Sequence, residues 1–260
     1  MQAEVELLKR VHINLNRRVG LITGGASGLG KATVRRFLQS NARAVICDYN
    51  DKLGKEVLAE LTGEFGPDDV AFVKADVSDE ASVKAAVDFT VEKFGSLDML
   101  VASAGIGGDN KSIADETIEN WNRVNAVDYT GVMLCNKYAI LQFRRQGNGG
   151  VIVNLASMFG LVGVPSNVAY SAAKGGVVNL TKAAGTAYAD EGIRVNCVCP
   201  GVVNTPLVPE EQKQAYRNLH PMHRIAEAHE IASIITFLCS DDARFITGAA
   251  IPVDGGYTGV

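Results

Sequence analysis

Tyr170 and Lys174 stand four residues apart, and in a helix that spacing sets an ammonium beside a phenol on one face. Tyrosine ordinarily titrates near pH 10, and an adjacent cation favours the phenolate. The pair therefore suits general acid or base work, with Lys174 expected to lower the tyrosine's pKa. Ser157 follows an apolar, β-rich run, Gly150 to Leu155; its hydroxyl could hold a substrate oxygen or simply satisfy a turn. Asn125 lies inside a helical pattern, Asn122-Arg-Val-Asn-Ala, where asparagine is a poor helix former and its side chain a candidate for polar work.

A second group of residues suits an anion. Thr23-Gly24-x-x-x-Gly28-x-Gly30, with Ser27 and Leu29 inside it, reads as a strand entering a glycine-rich turn and then a helix. Free N–H groups and the helix dipole at such a start attract a pyrophosphate, although the strict G-x-G-x-x-G fingerprint is absent and glycine-rich turns also serve as plain turns. Asp48, followed by Tyr49, closes the second strand pattern eighteen residues after Gly30. That is about where a carboxylate accepts hydrogen bonds from ribose hydroxyls and repels a ribose phosphate. Arg35, Arg36 and Arg43 keep the phosphorylated cofactor open, but the balance favours NAD over NADP. Asp76-Val77 could meet the adenine, and Ala104-Gly105 ends a strand where bulk would block a cofactor; both could also be ordinary turns.

The elements that must position these groups follow from periodicity. Short apolar runs (Val19 to Thr23, Ala44 to Asp48, Val70 to Lys74, Met99 to Ala102, Gly150 to Leu155, Arg194 to Val198, Ala250 to Val253) alternate with amphipathic stretches beginning near Gly28, Lys52, Ala81, Ile118, Val168 and Ala228. Alternation of this kind gives an α/β fold, a doubly wound seven-stranded parallel sheet with helices on both faces. Such sheets bind ligands at the carboxyl ends of their strands, where Ser157 and the glycine turn fall. The expected organisation is an N-terminal arm over residues 1–17 and one domain over 18–260. Residues 203–223, with Pro206, Pro209 and Pro221, form the one long irregular insertion, of the kind that often serves as a lid.

Composition narrows the field. The chain has 260 residues, 47% hydrophobic, with a net charge of −4. That is enough apolar matter for one large core, and no basic field is available for nucleic acid. No segment approaches a membrane span or a secretory signal, so a soluble, cytoplasmic protein is expected. Five cysteines do not form a disulfide framework; Cys197 and Cys199 share a strand and read as buried thiols. His220, His223 and His229 lie close together without a zinc spacing, so no metal is expected.

Taken together these residues resemble the short-chain dehydrogenase/reductase family over nearly the whole chain, from about Arg18 to Val260. Thr23-Gly24-x-x-x-Gly28-x-Gly30 matches its cofactor motif and Tyr170-x-x-x-Lys174 its active-site motif. Ser157 stands the usual thirteen residues before the tyrosine, and Asn125 matches the remaining member of the tetrad. The resemblance implies a single-domain Rossmann fold and an NAD-dependent oxidoreductase interconverting a secondary alcohol and a ketone. Tyr170 would exchange a proton with the substrate oxygen and Ser157 would steady it. Lys174 would lower the tyrosine's pKa and bind ribose hydroxyls, and Asn125 would hold a water. Pro200-Gly201, the backbone around Val203, and Thr205 look like the nicotinamide-side segment. Ala102-Ser103-Ala104-Gly105 departs from the family's Asn-Asn-Ala-Gly, which puts the side-chain part of that role in doubt.

Phe159, Val164, Val202 and Leu207, with Leu161, Val208 and Met158, are the expected walls of the substrate pocket, apolar enough for a hydroxysteroid or cycloalkanol. A 3-oxoacyl-thioester reductase and a polyol or sugar dehydrogenase are the alternatives. Enoyl reductases of this fold space the tyrosine and lysine farther apart, and the chain has no room for an epimerase's added domain. A nucleotide-sensing protein that lost the chemistry is disfavoured by the complete residue set. The resemblance also implies a homotetramer assembled through the helices over Ile118 to Arg145 and Val168 to Asp190.

Overall fold

A computed structural model describes residues 13–259. Seven parallel strands form one sheet in the order β3-β2-β1-β4-β5-β6-β9. They are β1 (Val19–Thr23), β2 (Arg43–Asp48), β3 (Val70–Lys74), β4 (Met99–Ala102), β5 (Gly150–Leu155), β6 (Ile193–Pro200) and β9 (Ala250–Val253). The chain winds outward from β1 in one direction and from β4 in the other, so the crevice between their carboxyl ends is the switch point at which such sheets bind ligands. A further short parallel pair, β7 (Val203–Asn204) with β8 (Ala226–Glu227), was not expected from the sequence; it ties off the base of the 203–223 insertion.

Alternate residues of each strand feed opposite layers, as the pleat requires. Leu21 and Val45 face one core with Val83 and Ala86 of α3 (Glu80–Phe94), Ala139 and Phe143 of α5 (Val132–Gln146), and Val177 of α6 (Val168–Ala187). Ile22 and Ile46 face the other with Phe37 of α1 (Gly28–Gln39), Leu61 of α2 (Asp51–Phe65), and Ile231 and Ile235 of α8 (Ala228–Cys239). Strands apolar on both faces, such as Val19–Thr23 with every residue buried, belong to a sheet covered on both sides. A short α7 (Lys213–Arg217) lies within the insertion.

One expectation needs correction. The helix anticipated from Ile118 to Arg145 is not continuous: α4 (Ile118–Asn125) gives way to a π-helical segment, Ala126–Gly131, before α5 begins. A π segment inserts an extra residue and turns the following side chains to a new face. Of the N-terminal arm, residues 1–12 lie outside the described residues. Residues 13–17 are docked: Leu15 is buried, its N–H donates to Ser40 O at 2.8 Å, and Arg17 pairs with Asp69 at 2.6 Å.

All five cysteines are free and buried, Cys197 and Cys199 within one core layer. Burial pushes the Cys135 and Cys239 thiols up to about 12, so they act as small apolar side chains. Among the described residues no helix is long and apolar enough to cross a membrane. Nor, among them, does any group of three or more His, Cys, Asp or Glu side chains gather as a metal site.

Candidate active site

The turn after β1 is shaped by its glycines. Gly28 has φ +48°, which favours glycine, and a Cβ on Gly30 would lie 2.1 Å from Gly24 O. The turn is tied to the end of β2, where Gly25 N–H donates to Cys47 O at 3.1 Å and Ala26 N–H to the Asp48 carboxylate at 3.0 Å. The starts of α2, α3 and α4 each carry an acid in the first turn and a side-chain cap from Asn50, Asp79 and Thr117. α1 has neither: Ser27 makes no side-chain cap bond and the first turn holds no acid. Among the described residues no side chain caps these N–H groups, and this donor set fits a dinucleotide's pyrophosphate.

From that turn a cleft of about 640 Å³ runs along the carboxyl edge of the sheet, within the range of small-molecule sites. Gly24, Ser27, Gly28, Leu29 and Gly30 line one end, Ala104 and Gly105 the floor, and Pro200, Gly201, Val203 and Thr205 the facing wall. Ser157, Tyr170 and Lys174 line it too, with Phe159, Val202 and Leu207 as apolar surface. Val164, expected in the substrate pocket, is not part of this lining, which instead includes Asn110, Asn167, Gln212 and Tyr216.

Thr23 is buried and does not line the cleft; its Oγ1 accepts the N–H groups of Ser103 and Ala104 at 3.0 and 3.1 Å, locking β1 to β4. Here Ser103 takes up the structural part left open by the missing asparagines, its hydroxyl donating to Thr23 O. Asp48, Tyr49, Asp76 and Val77 lie along the strand ends beyond this lining. Asp48 accepts Ala26 and Asn50 N–H groups, Asp76 accepts Ser78 N–H at 2.9 Å, Tyr49 is exposed under the Lys74 ammonium, and Val77 is buried.

At the other end, Ser157 caps a short 3-10 turn, its Oγ accepting Phe159 N–H at 3.2 Å. Tyr170 lies in the first turn of α6 and Lys174 one turn on, with Nζ 5.4 Å from the phenol ring centroid. The Lys174 ammonium is buried, donates to Leu155 O at 3.1 Å, and lies 3.0 Å from an Asp128 carboxylate oxygen. Burial opposes its charge, but Asp128 and Tyr170 more than offset this and hold its pKa above the ordinary lysine value.

Lys174 pulls the Tyr170 pKa down as expected, and the Ser157 hydroxyl does the same, but burial, joined by the Asp128 carboxylate, outweighs them and holds the phenol above its ordinary value. Asn125, unlike Asp128, is not part of the cleft lining. It ends α4 with its amide donating to Trp121 O at 2.9 Å, and the π segment directs Asp128 into the site instead. Asp128 is fully buried, and its other oxygen accepts Ile106 N–H at 2.8 Å. The sequence reading missed it, because the π segment that begins at Ala126 breaks the helical period that would have placed Asp128 on an inward face.

A parallel sheet with an anion-binding first turn, and beside it a buried lysine, a tyrosine and a serine around one cleft, defines a dinucleotide-dependent oxidoreductase scaffold. A family model described as enoyl-(acyl carrier protein) reductase matches residues 24–258. The chain is 43% identical to cis-4-hydroxycyclohexanecarboxylate dehydrogenase from Sinomonas cyclohexanicum, over 94% of this chain and 97% of that one. It is 41% identical to cyclohexanol dehydrogenase from Acinetobacter sp. (strain SE19), over 94% and 96%. The crystal structure of levodione reductase superposes with a TM-score of 0.89 at 37% identity, covering 94% of this chain and 98% of that one. The chain belongs to the short-chain dehydrogenase/reductase family, and it is an oxidoreductase.

Proposed function

We propose that the protein is an NAD(H)-dependent dehydrogenase that interconverts a secondary alcohol and a ketone on a cyclic, largely apolar substrate. The observation that carries this reading is the meeting of Ser157, Tyr170 and Lys174 in one apolar-walled cleft beside the open start of α1. The named relatives act on cyclohexane-ring alcohols, a chemistry suited to walls of Phe159, Val202 and Leu207. A bound nicotinamide would supply the hydride chemistry.

In this reading the Tyr170 hydroxyl gives a proton to the ketone oxygen or takes one from the alcohol. Ser157 Oγ holds that oxygen in line, and Lys174 stabilises the phenolate left behind. The starts of α1 and the β4 loop, through Gly24, Ser27, Gly28, Leu29, Gly30, Ala104 and Gly105, seat the pyrophosphate and ribose. Asp48 with Tyr49, and Asp76 with Val77, would meet the adenosine, and Pro200, Gly201, Val203 and Thr205 the carboxamide. NAD rather than NADP is supported by Asp48 and by the engagement of the nearby arginines. Arg35 is paired with Glu60 and Glu64, and Arg43 with backbone carbonyls of Arg17 and Phe94. Exposed Tyr129, Met133 and Leu141 on the π segment and α5 support assembly through these helices into a homotetramer, and we place the enzyme in the cytoplasm.

The test is the absorbance of reduced nicotinamide with NAD, then NADP, against cyclohexanol, hydroxycyclohexanecarboxylates, hydroxysteroids, acyclic diols and sugars. We expect turnover with NAD on the cyclic alcohols, and a loss on the order of 10²–10⁴-fold or more in Tyr170→Phe. Equal activity in that variant would overturn the reading, as would failure to bind either dinucleotide.

A further inference from the structure

The lysine beside a catalytic tyrosine usually earns its place by its charge, yet in this chain that charge meets a carboxylate. Asp128 has no exposed surface, and its Oδ2 lies 3.0 Å from Lys174 Nζ. It is held there by the Ile106 N–H on Oδ1, by the π segment that carries it, and by a floor cut to fit, since a Cβ on Gly105 would lie 3.0 Å from Oδ2. Asp128 and Lys174 both line the cleft, so the ion pair is part of the wall against which Tyr170 works.

We propose that Asp128 is a positioning residue that sets the pH at which Tyr170 exchanges its proton, keeping the phenol protonated into alkaline solution and so moving the pH limbs of alcohol oxidation and ketone reduction to higher pH. The inference rests on the dehydrogenase reading above. With an isolated ammonium, loss of the Tyr170 proton would take the cluster from a net charge of +1 to 0. With Asp128 ionised it takes the cluster from 0 to −1 in a buried site, which is harder. Alcohol oxidation needs the phenolate as base and ketone reduction needs the phenol as acid, so the same carboxylate moves the acid limb of the one and the alkaline limb of the other to higher pH.

Among the described residues the charged and titratable groups facing this cluster are few. Lys174 and Tyr170 come from α6, and Cys199 of β6 acts on Lys174 in the same sense as Asp128. The β4 loop offers only backbone, through Ile106 N–H and Gly105. Ser157 after β5 acts on Tyr170 in the opposite sense to Asp128. Asp128 is the one carboxylate acting on the phenol in this set, and Asp128→Asn removes its charge while keeping its shape and an oxygen toward Ile106 N–H.

Two measurements test this. The first needs neither substrate nor cofactor: the ultraviolet phenolate band is titrated against pH in the otherwise native protein, in Asp128→Asn and in Asp128→Ser, each minus its Tyr170→Phe counterpart to isolate one tyrosine. The midpoint is expected to fall by about one pH unit or more in both variants. The second is kcat/KM for cyclohexanol oxidation across pH. Its acid limb should move down by the same amount, giving about ten-fold faster oxidation below both midpoints, while reduction loses activity at the alkaline end. Folding is checked by thermal melting, and the serine variant serves if the asparagine one does not fold. An unchanged midpoint would overturn the proposal. So would a raised one, which would mean that Asp128 serves to keep Lys174 charged. A shifted phenolate titration without turnover on any alcohol would uphold the role of Asp128 on Tyr170 and count against the dehydrogenase reading instead.

Discussion

At the scale of single residues, the chemistry depends on where carboxylates stand. Asp48 is anchored by two N–H groups, from Ala26 and Asn50, so its charge is fixed at the end of β2 and not free to swing away from an incoming phosphate. Replacing it with serine removes the repulsion and keeps a small polar group. The kcat/KM ratio of NAD to NADP should fall by about ten-fold or more, some 1.4 kcal/mol, and a ratio unchanged within two-fold would show that Asp48 does not face the ribose. Asp48, Tyr170 and Lys174 were legible in the sequence because each stands at a spacing with a direct physical meaning, the end of a strand or one turn of a helix. Asp128 was not. A π segment breaks the 3.6-residue period on which such reading depends, and Asn125, three residues earlier, offered the more obvious polar side chain in a helix.

At the scale of elements, the strands were readable almost to the residue, since a strand buried on both faces is an uninterrupted apolar run. What joins the elements beneath the site was not readable. Asn154 of β5 is fully buried, accepts Asn136 Nδ2 at 2.7 Å from α5, and donates to Thr181 Oγ1 at 3.0 Å on α6. The two partners are 18 and 27 positions from Asn154, and no local pattern connects them. The network fixes the strand that leads to Ser157 against the helix that carries Tyr170 and Lys174. Asn154→Ala leaves the Asn136 amide with its Val132 O bond alone and its oxygen, with Thr181 Oγ1, short of a donor in a buried layer. We expect a loss of about 2 kcal/mol, or roughly 4–8 °C in Tm by calorimetry. A Tm within 1 °C of the parent protein would mean that water takes over the freed groups.

At the scale of the whole molecule, the insertion expected to act as a lid is fastened to the end of the chain. His220 is buried, with Nδ1 2.7 Å from Asp254 O and Nε2 accepting Val202 N–H at 3.2 Å. The second contact makes Nε2 the acceptor, and Nδ1 accordingly donates to the carbonyl. Tyr257 stands edge-on to both His220 and Phe159, with ring centroids 5.9 and 6.2 Å away. The C-terminal turn, held by Asp254 through the N–H groups of Gly256 and Thr258, is thus coupled to two walls of the cleft, Val202 and Phe159. Three histidines close together in sequence had suggested packing or surface roles and no metal, and the role of His220 emerges only once strand β9 brings Asp254 beside it. His220→Ala would leave Val202 N–H and Asp254 O without partners, at a cost of about 1–3 kcal/mol, and would free the segment between β7 and β8. Because Tyr170, Ser157 and Lys174 are held by α6 and β5, the variant should keep its phenolate titration while KM for a cyclic alcohol rises several-fold and protease cleavage within residues 205–219 accelerates. Unchanged KM and unchanged cleavage would show that the β7–β8 pair alone seats the segment. A displaced phenolate titration would instead mean that the lock reaches Tyr170 itself.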